Sequence, residues 1–237
     1  MPKPLAVITG ASAGIGEAIA GAFARDGRPV LLMSRHISPI DEIAGTPVMS
    51  AQVDVADAEG LAAAVAAAET RFGPTEVMVN NAGLLRIGAF ETRDPAAMSE
   101  EIDVLLKGVA YGVRAVLPGM VARRSGTIVN MSSIGDRKPG PSGEIYHACK
   151  AAVRSLSESL QAAQAKHNVR VINVAPGLIR TRIHEEMGIS FEEYDRLVGH
   201  PHYITADELA EIVLFCVSRP QHICIRDIVV MPTDSAF

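Results

Sequence analysis

Cysteine is scarce in this chain. Cys149, Cys216 and Cys224 are odd in number and lack metal-ligand spacing, which argues against a disulfide framework and gives no support to a metal site. Positive charge is also in short supply. With 22 Lys and Arg against 27 Asp and Glu, the net charge of −5 leaves no basic footprint for nucleic acid, and the acidic residues are scattered, not gathered into a tail. A long apolar run is missing at the start: Met1-Pro2-Lys3-Pro4 leads into a short stretch ending at Gly10, too short for a signal core or a membrane span. The sequence therefore predicts a cytoplasmic protein with no membrane partner. No low-complexity linker interrupts the chain, and 237 residues with 48% hydrophobic content suffice for one well-buried domain over 1–237.

Short apolar runs alternate with segments of helical period. The runs are Leu5 to Thr9, Val30 to Met33, Val48 to Val53, Glu76 to Val79, Thr127 to Met131, Val169 to Val174 and Ile225 to Val230. Seven strands separated by helices predict an α/β doubly wound fold, a seven-stranded parallel sheet flanked by helices on both faces. Ala58 to Phe72, with Leu61, Val65 and Phe72 at helical spacing, is an amphipathic helix, and longer helices are expected over Ala96 to Arg123 and Glu144 to His167. The stretch at about 178–203 is the least regular, and an irregular insertion of that length reads as a substrate loop.

Thr9-Gly10-Ala11-Ser12-Ala13-Gly14-Ile15-Gly16 closes the first strand and opens the first helix, the setting that a dinucleotide fingerprint requires. Gly10 permits a tight turn, Gly14 lets the backbone approach a pyrophosphate, and Gly16 allows close helix packing, while the helix N-terminus supplies N–H donors. Past the second strand the chain reads Met33-Ser34-Arg35-His36. A carboxylate there would accept the 2′-hydroxyl of NAD; Arg35 instead offers charged donors to a 2′-phosphate, which favours NADP(H) over NAD(H). The plainer alternative is a solvated turn arginine. Asp54, Asn80, Asn81, Ala82 and Gly83 end strands at the same sheet edge, where ligands gather or where Asx residues cap turns.

Tyr146 and Lys150 lie four residues apart on one predicted helix, with Ser133 thirteen residues before the tyrosine. The spacing stacks phenol and ammonium on one face, so the cation is expected to lower the phenol pKa and make Tyr146 a usable acid/base. His147 and Cys149 are expected to point away from that face.

Together these residues resemble the short-chain dehydrogenase/reductase family from about Ala6 to Val230. The motifs are Thr9 to Gly16, Asn80 to Gly83, Ser133 with Tyr146-x-x-x-Lys150, and Pro176-Gly177 with Thr181. The resemblance implies that Ser133 positions a substrate oxygen, Tyr146 exchanges its proton, and Lys150 binds the nicotinamide ribose and tunes Tyr146. It also implies that Asp54 contacts adenine, Asn80 and Gly83 line the adenosine side, Arg35 meets a 2′-phosphate, and Pro176, Gly177 and Thr181 hold the carboxamide. Further cofactor contacts are implied at Ser12, Ile15, Ser34, Val55, Ala82 and Ile179. A homodimer or homotetramer through the two long helices is expected. One position departs from the pattern: in Ile102-Asp103-Val104-Leu105-Leu106-Lys107-Gly108, Leu105 replaces an Asn that in the family fixes a helix irregularity on a proton relay to the lysine.

The expected function is NADP(H)-dependent hydride transfer between nicotinamide and a small-molecule carbonyl or secondary alcohol. The alternatives are an NADP-binding protein without catalysis, motivated by Leu105, and a family epimerase or dehydratase. Candidate substrate contacts are Ile134, Gly135, Leu84 to Ile87, Arg180, Arg182, His184, Met187 and His202.

Overall fold

Alternation of β-branched runs with alanine-rich amphipathic segments gives successive crossovers, and right-handed crossovers stack their strands in parallel. In the computed structural model, which describes residues 3–235 and at Glu186 the backbone alone, the first half runs β1 (Leu5–Thr9), α1 (Gly14–Arg25), β2 (Val30–Ser34), β3 (Glu42–Ile43), β4 (Thr46–Gln52), α2 (Ala58–Phe72) and β5 (Thr75–Asn80). Then follow α3 (Pro95–Ile102), a π-helical turn (Asp103–Lys107), α4 (Gly108–Arg123), β6 (Thr127–Met131), α5 (Glu144–Gln164) and β7 (Arg170–Pro176). The remainder is β8 (Ile179–Arg180), α6 (Ile183–Glu186), α7 (Phe191–Val198), β9 (Ile204–Thr205), α8 (Ala206–Val217) and β10 (Asp227–Val230).

The main sheet has the order β10-β7-β6-β5-β1-β2-β4-β3. Seven strands are parallel, as expected; the eighth, β3, is a two-residue antiparallel hairpin partner on the β4 edge. Strand order reverses beside β1, where the chain first builds outward through β2 and β4 and then returns to lay down β5 on the other flank. Diverging loops at such a reversal leave a crevice at the carboxyl ends of the strands.

Each sheet face carries its own core. Ile19, Phe23, Leu209 and Val213 of α1 and α8 cover one face through Ile8, Val79 and Ile172. Leu61, Val65, Val113, Val116 and Met120 of α2 and α4 cover the other through Val7, Met78 and Ile128. Side chains that alternate along buried strands must find apolar partners on both sides, which explains why the strands read as near-continuous hydrophobic runs. The helix running from α3 through α4 is apolar and long enough to cross a membrane by composition, and Val104, Val113, Val116 and Met120 from it are packed into the core of one sheet face.

The stretch at 178–203 is more ordered than its sequence suggested. It holds β8, which pairs with β9 just beyond the stretch, and helices α6 and α7. Helix α7 starts at a capping box in which the Ser190 hydroxyl accepts from the Glu193 N–H while Glu193 accepts from the Ser190 N–H, and it ends at Gly199 in the left-handed region. These short-range signals are independent of hydrophobic period, so a periodicity reading passes over them.

Candidate active site

The crevice at the strand reversal is a cleft of about 1140 Å³. One end is floored by the glycine turn. Gly10 and Gly14 adopt φ of +65° and +59°, a conformation that disfavours any side chain and turns the backbone into the cleft. Asn81 holds this turn in place. Its side-chain amide donates to the carbonyls of Thr9 and Gly10 at 3.0 and 3.2 Å, and the Thr9 hydroxyl accepts from the backbone N–H groups of Asn81 and Ala82 at 2.9 and 3.0 Å. The tip of β1 is thereby stitched to the tip of β5. A methyl group at Gly16 would stand 2.1 Å from the Gly10 carbonyl oxygen, so Gly16 serves the packing of α1 against the turn. Thr181 closes over the turn from above, its methyl 3.5 Å from where a Gly14 side chain would begin.

Ser133, Tyr146 and Lys150 converge in the middle of the cleft. Ser133 leaves β6 in extended geometry and its hydroxyl accepts from the Gly135 N–H at 3.1 Å. Tyr146 and Lys150 sit on successive turns of α5, with the ammonium 5.6 Å from the phenol ring centre. The Lys150 ammonium is buried and donates to the Met131 carbonyl at 2.7 Å. Burial pushes the Lys150 pKa down to about 8, with Asp136 among the groups that oppose the shift. Tyr146 departs from the expected direction: burial pushes its phenol up to about 12, and the Ser133 hydroxyl as a hydrogen-bond partner pulls it back only in part. Helical spacing brought the two groups together, but desolvation sets the direction of the shift. The pair can hold a neutral phenol beside an ammonium that is still mainly protonated at neutral pH, an arrangement suited to giving a proton to a developing alkoxide.

Beneath Ser133 lies a buried carboxylate that sequence reasoning missed. Asp136 accepts from the Ser132 hydroxyl at 2.8 Å, from Arg137 and from the Asn173 amide, and Arg137 continues to Asp227 at 2.8 Å. This network ties the loop after β6 to β7 and β10. Leu105 is fully buried in the π-helical turn, where the Gly108 N–H donates to the Asp103 carbonyl. The helix irregularity therefore forms with leucine in place of asparagine. The end of the cleft beyond β2 carries Ser34, joined to Ser12 at 2.9 Å between hydroxyls, and Arg35, paired with Glu100 at 3.2 Å.

A family model described as short chain dehydrogenase matches residues 4–189. This chain belongs to that family. An uncharacterized oxidoreductase of Staphylococcus saprophyticus is 32% identical over 235 residues, covering 96% of this chain and 97% of the relative. One from Listeria innocua is 33% identical over 236 residues, covering 96% and 95%. Among solved structures, a closed form of serine dehydrogenase complexed with NADP+ is 27% identical with a TM-score of 0.89, covering 98% of this chain and 96% of that one. An alcohol dehydrogenase from Thermococcus sibiricus complexed with 5-hydroxy-NADP is 30% identical with a TM-score of 0.84, covering 96% of both.

In this short-chain dehydrogenase the cleft is lined by Gly10, Ser12, Gly14, Ile15, Ser34, Arg35, Asp54, Val55, Ala82, Gly83, Pro176, Gly177, Ile179 and Thr181, together with the three central residues. Two expected contacts lie outside it. Gly16 is under the turn, and Asn80 turns inward, its amide donating to Asn130 at 2.8 Å, which in turn donates to Ser157 at 2.8 Å. Asn80 thus pins β5 to β6 and α5. His147 corrects another expectation: it lines the cleft, its ring edge-on to Tyr146 with centres 5.5 Å apart. The loop at 135–143 wraps round the start of α5, so the cleft extends past the face that carries Tyr146. Cys149 is buried. Of the expected substrate contacts, Leu84, Leu85, Ile87, Ile134, Gly135, Arg180, Arg182 and Met187 line the cleft, joined by Tyr194 from α7. His184 instead packs on Phe191 and Tyr194, His202 pairs with Asp234, and Arg86 pairs with Glu100.

Proposed function

We propose that this short-chain dehydrogenase is an NADP(H)-dependent oxidoreductase acting on a carbonyl or secondary alcohol of a small molecule. The observation that carries this reading is the convergence of Ser133, Tyr146 and Lys150 on one cleft continuous with the glycine turn. The fit to a dinucleotide rests on the left-handed glycines, which leave backbone N–H groups free to face phosphate, and on Arg35 at the end where a 2′-phosphate would fall. The two NADP-complexed relatives lend the same support. A bound nicotinamide supplies the hydride.

The chain's own residues handle the oxygen. Ser133 donates a hydrogen bond that holds the substrate oxygen in place, and Tyr146, neutral at working pH, passes its phenolic proton to that oxygen as negative charge develops there. Lys150, buried and poised near pH 8, is the nearby cation that favours the phenolate left behind. The π-helical turn retained around Leu105 favours catalysis over the non-catalytic alternative, and assembly as a cytoplasmic homodimer or homotetramer belongs to the same reading. The test follows reduced-nicotinamide absorbance with NADPH and NADH against a panel of ketones, aldehydes and hydroxy acids. Turnover with NADPH above NADH is expected. Cofactor binding without turnover across the panel overturns the catalytic reading, and equal use of NADH overturns the cofactor preference.

A further inference from the structure

We propose that Glu100 narrows the cofactor preference by competing with a cofactor 2′-phosphate for Arg35; this rests on the NADP reading above. Arg35 follows β2 and opens onto the cleft, yet its guanidinium is already engaged, with Nη1 3.2 Å from Glu100 Oε1. Glu100 comes from α3, an element far along the chain from β2, so the pairing is invisible to a reading of the residues after the second strand.

The carboxylate is not free to follow Arg35. Its second oxygen accepts from Arg86 Nη2 at 2.6 Å, and Arg86 is itself fixed by donating from Nη1 to the Ala97 carbonyl at 3.2 Å and from its backbone N–H to Glu101 at 3.3 Å. Glu101 is fully buried and paired with Arg93, whose Nη1 donates to the Arg86 carbonyl at 3.3 Å. Glu100 is therefore an anchored anion beside the guanidinium that a 2′-phosphate would use. Arg86 and Arg35 together hold its carboxyl below the usual range, so it stays charged at neutral pH.

Two consequences have the same sign. A phosphate carrying close to two negative charges must take Arg35 from Glu100, and once there it stands near a fixed carboxylate. A cofactor lacking the phosphate meets an Arg35 whose charge is already neutralised. Glu100 thus narrows the preference that Arg35 alone would give.

The experiment is calorimetric binding of NADP+ and NAD+ to the wild type, Glu100→Gln, Arg35→Ala and the double variant. Glutamine keeps the shape and can still accept from Arg86. The Arg35–Glu100 pair is roughly half exposed, so Glu100→Gln should tighten NADP+ by about two- to fivefold, the range of an exposed ion pair, and leave NAD+ unchanged. The gain should vanish in the Arg35→Ala background. Unchanged or weaker NADP+ binding in Glu100→Gln, or an equal change for NAD+, overturns the proposal while the NADP reading stands. An Arg35→Ala variant whose NADP+ to NAD+ ratio equals that of the wild type overturns both.

Discussion

Replacing Leu105 by asparagine should cost stability without increasing the rate. Leu105 is fully buried in the π-helical turn, and a side chain added at Gly83 would stand 3.3 Å from its Cδ2 and 3.9 Å from the Lys150 ammonium. The leucine is thus an apolar wall close to Lys150. Losing its burial removes about 2 kcal/mol, and an amide left without partners there costs about 1–3 kcal/mol more, for a total of about 3–5 kcal/mol. For a chain of this size that is a fall in Tm of roughly 10 °C, at about 2–4 °C per kcal/mol. Catalysis should not gain, because the Gly108 to Asp103 hydrogen bond that defines the π turn is already made with leucine. A polar neighbour should also ease the desolvation of Lys150 and raise its pKa above about 8. The assay is thermal unfolding together with a pH profile of kcat for Leu105→Asn against wild type. A tenfold or larger rise in kcat at unchanged Tm would refute the reasoning, since it would mean that the turn needs asparagine to serve the lysine.

Lys150→Met should stabilise the unliganded protein at neutral pH while removing activity. The folded pKa near 8 lies below the ordinary 10.5, so between those values the unfolded chain binds more protons and wild-type stability rises with pH. The advantage of Lys150→Met in urea unfolding should shrink by about 3 kcal/mol between pH 7.5 and pH 10.5, and a pH-independent difference would contradict the assigned burial. Arg93→Ala, which strands the fully buried Glu101, should cost about 3–5 kcal/mol in denaturant unfolding. Because Arg93 also holds the Arg86 carbonyl beside cleft residues Leu85 and Ile87, the same variant should raise KM more than it lowers kcat; a loss of less than about 1 kcal/mol would show that the pair is solvated.

The parts of the site that follow local rules were legible in the sequence. The glycine turn, the strand-forming apolar runs and the spacing of Tyr146 with Lys150 depend on neighbours a few residues away, and the strands, the turn and the helix that carries the pair form over those segments. What the sequence did not disclose depends on contacts between distant segments. Asp136 reads as an ordinary loop acid until Asn173 and Arg137 close round it. Asn81 and Asn80 are adjacent and chemically identical, but only the pairing of β5 with β1 on one side and β6 on the other decides that one stitches the glycine turn and the other faces inward. His147 failed a helical-wheel argument because the loop at 135–143, not the helix, sets how far the cleft reaches. The phenol's raised pKa follows from burial, a tertiary quantity that spacing along a helix cannot report.

Tyr146→Phe tests the central claim most directly. Single-turnover oxidation of NADPH by a carbonyl substrate should slow by about 10²-fold or more, the usual worth of a positioned general acid. NADPH affinity and Tm should stay near wild type, since only one hydroxyl facing the cleft is removed. A variant that keeps near-full turnover would contradict the assignment of Tyr146 as the group that protonates the substrate oxygen.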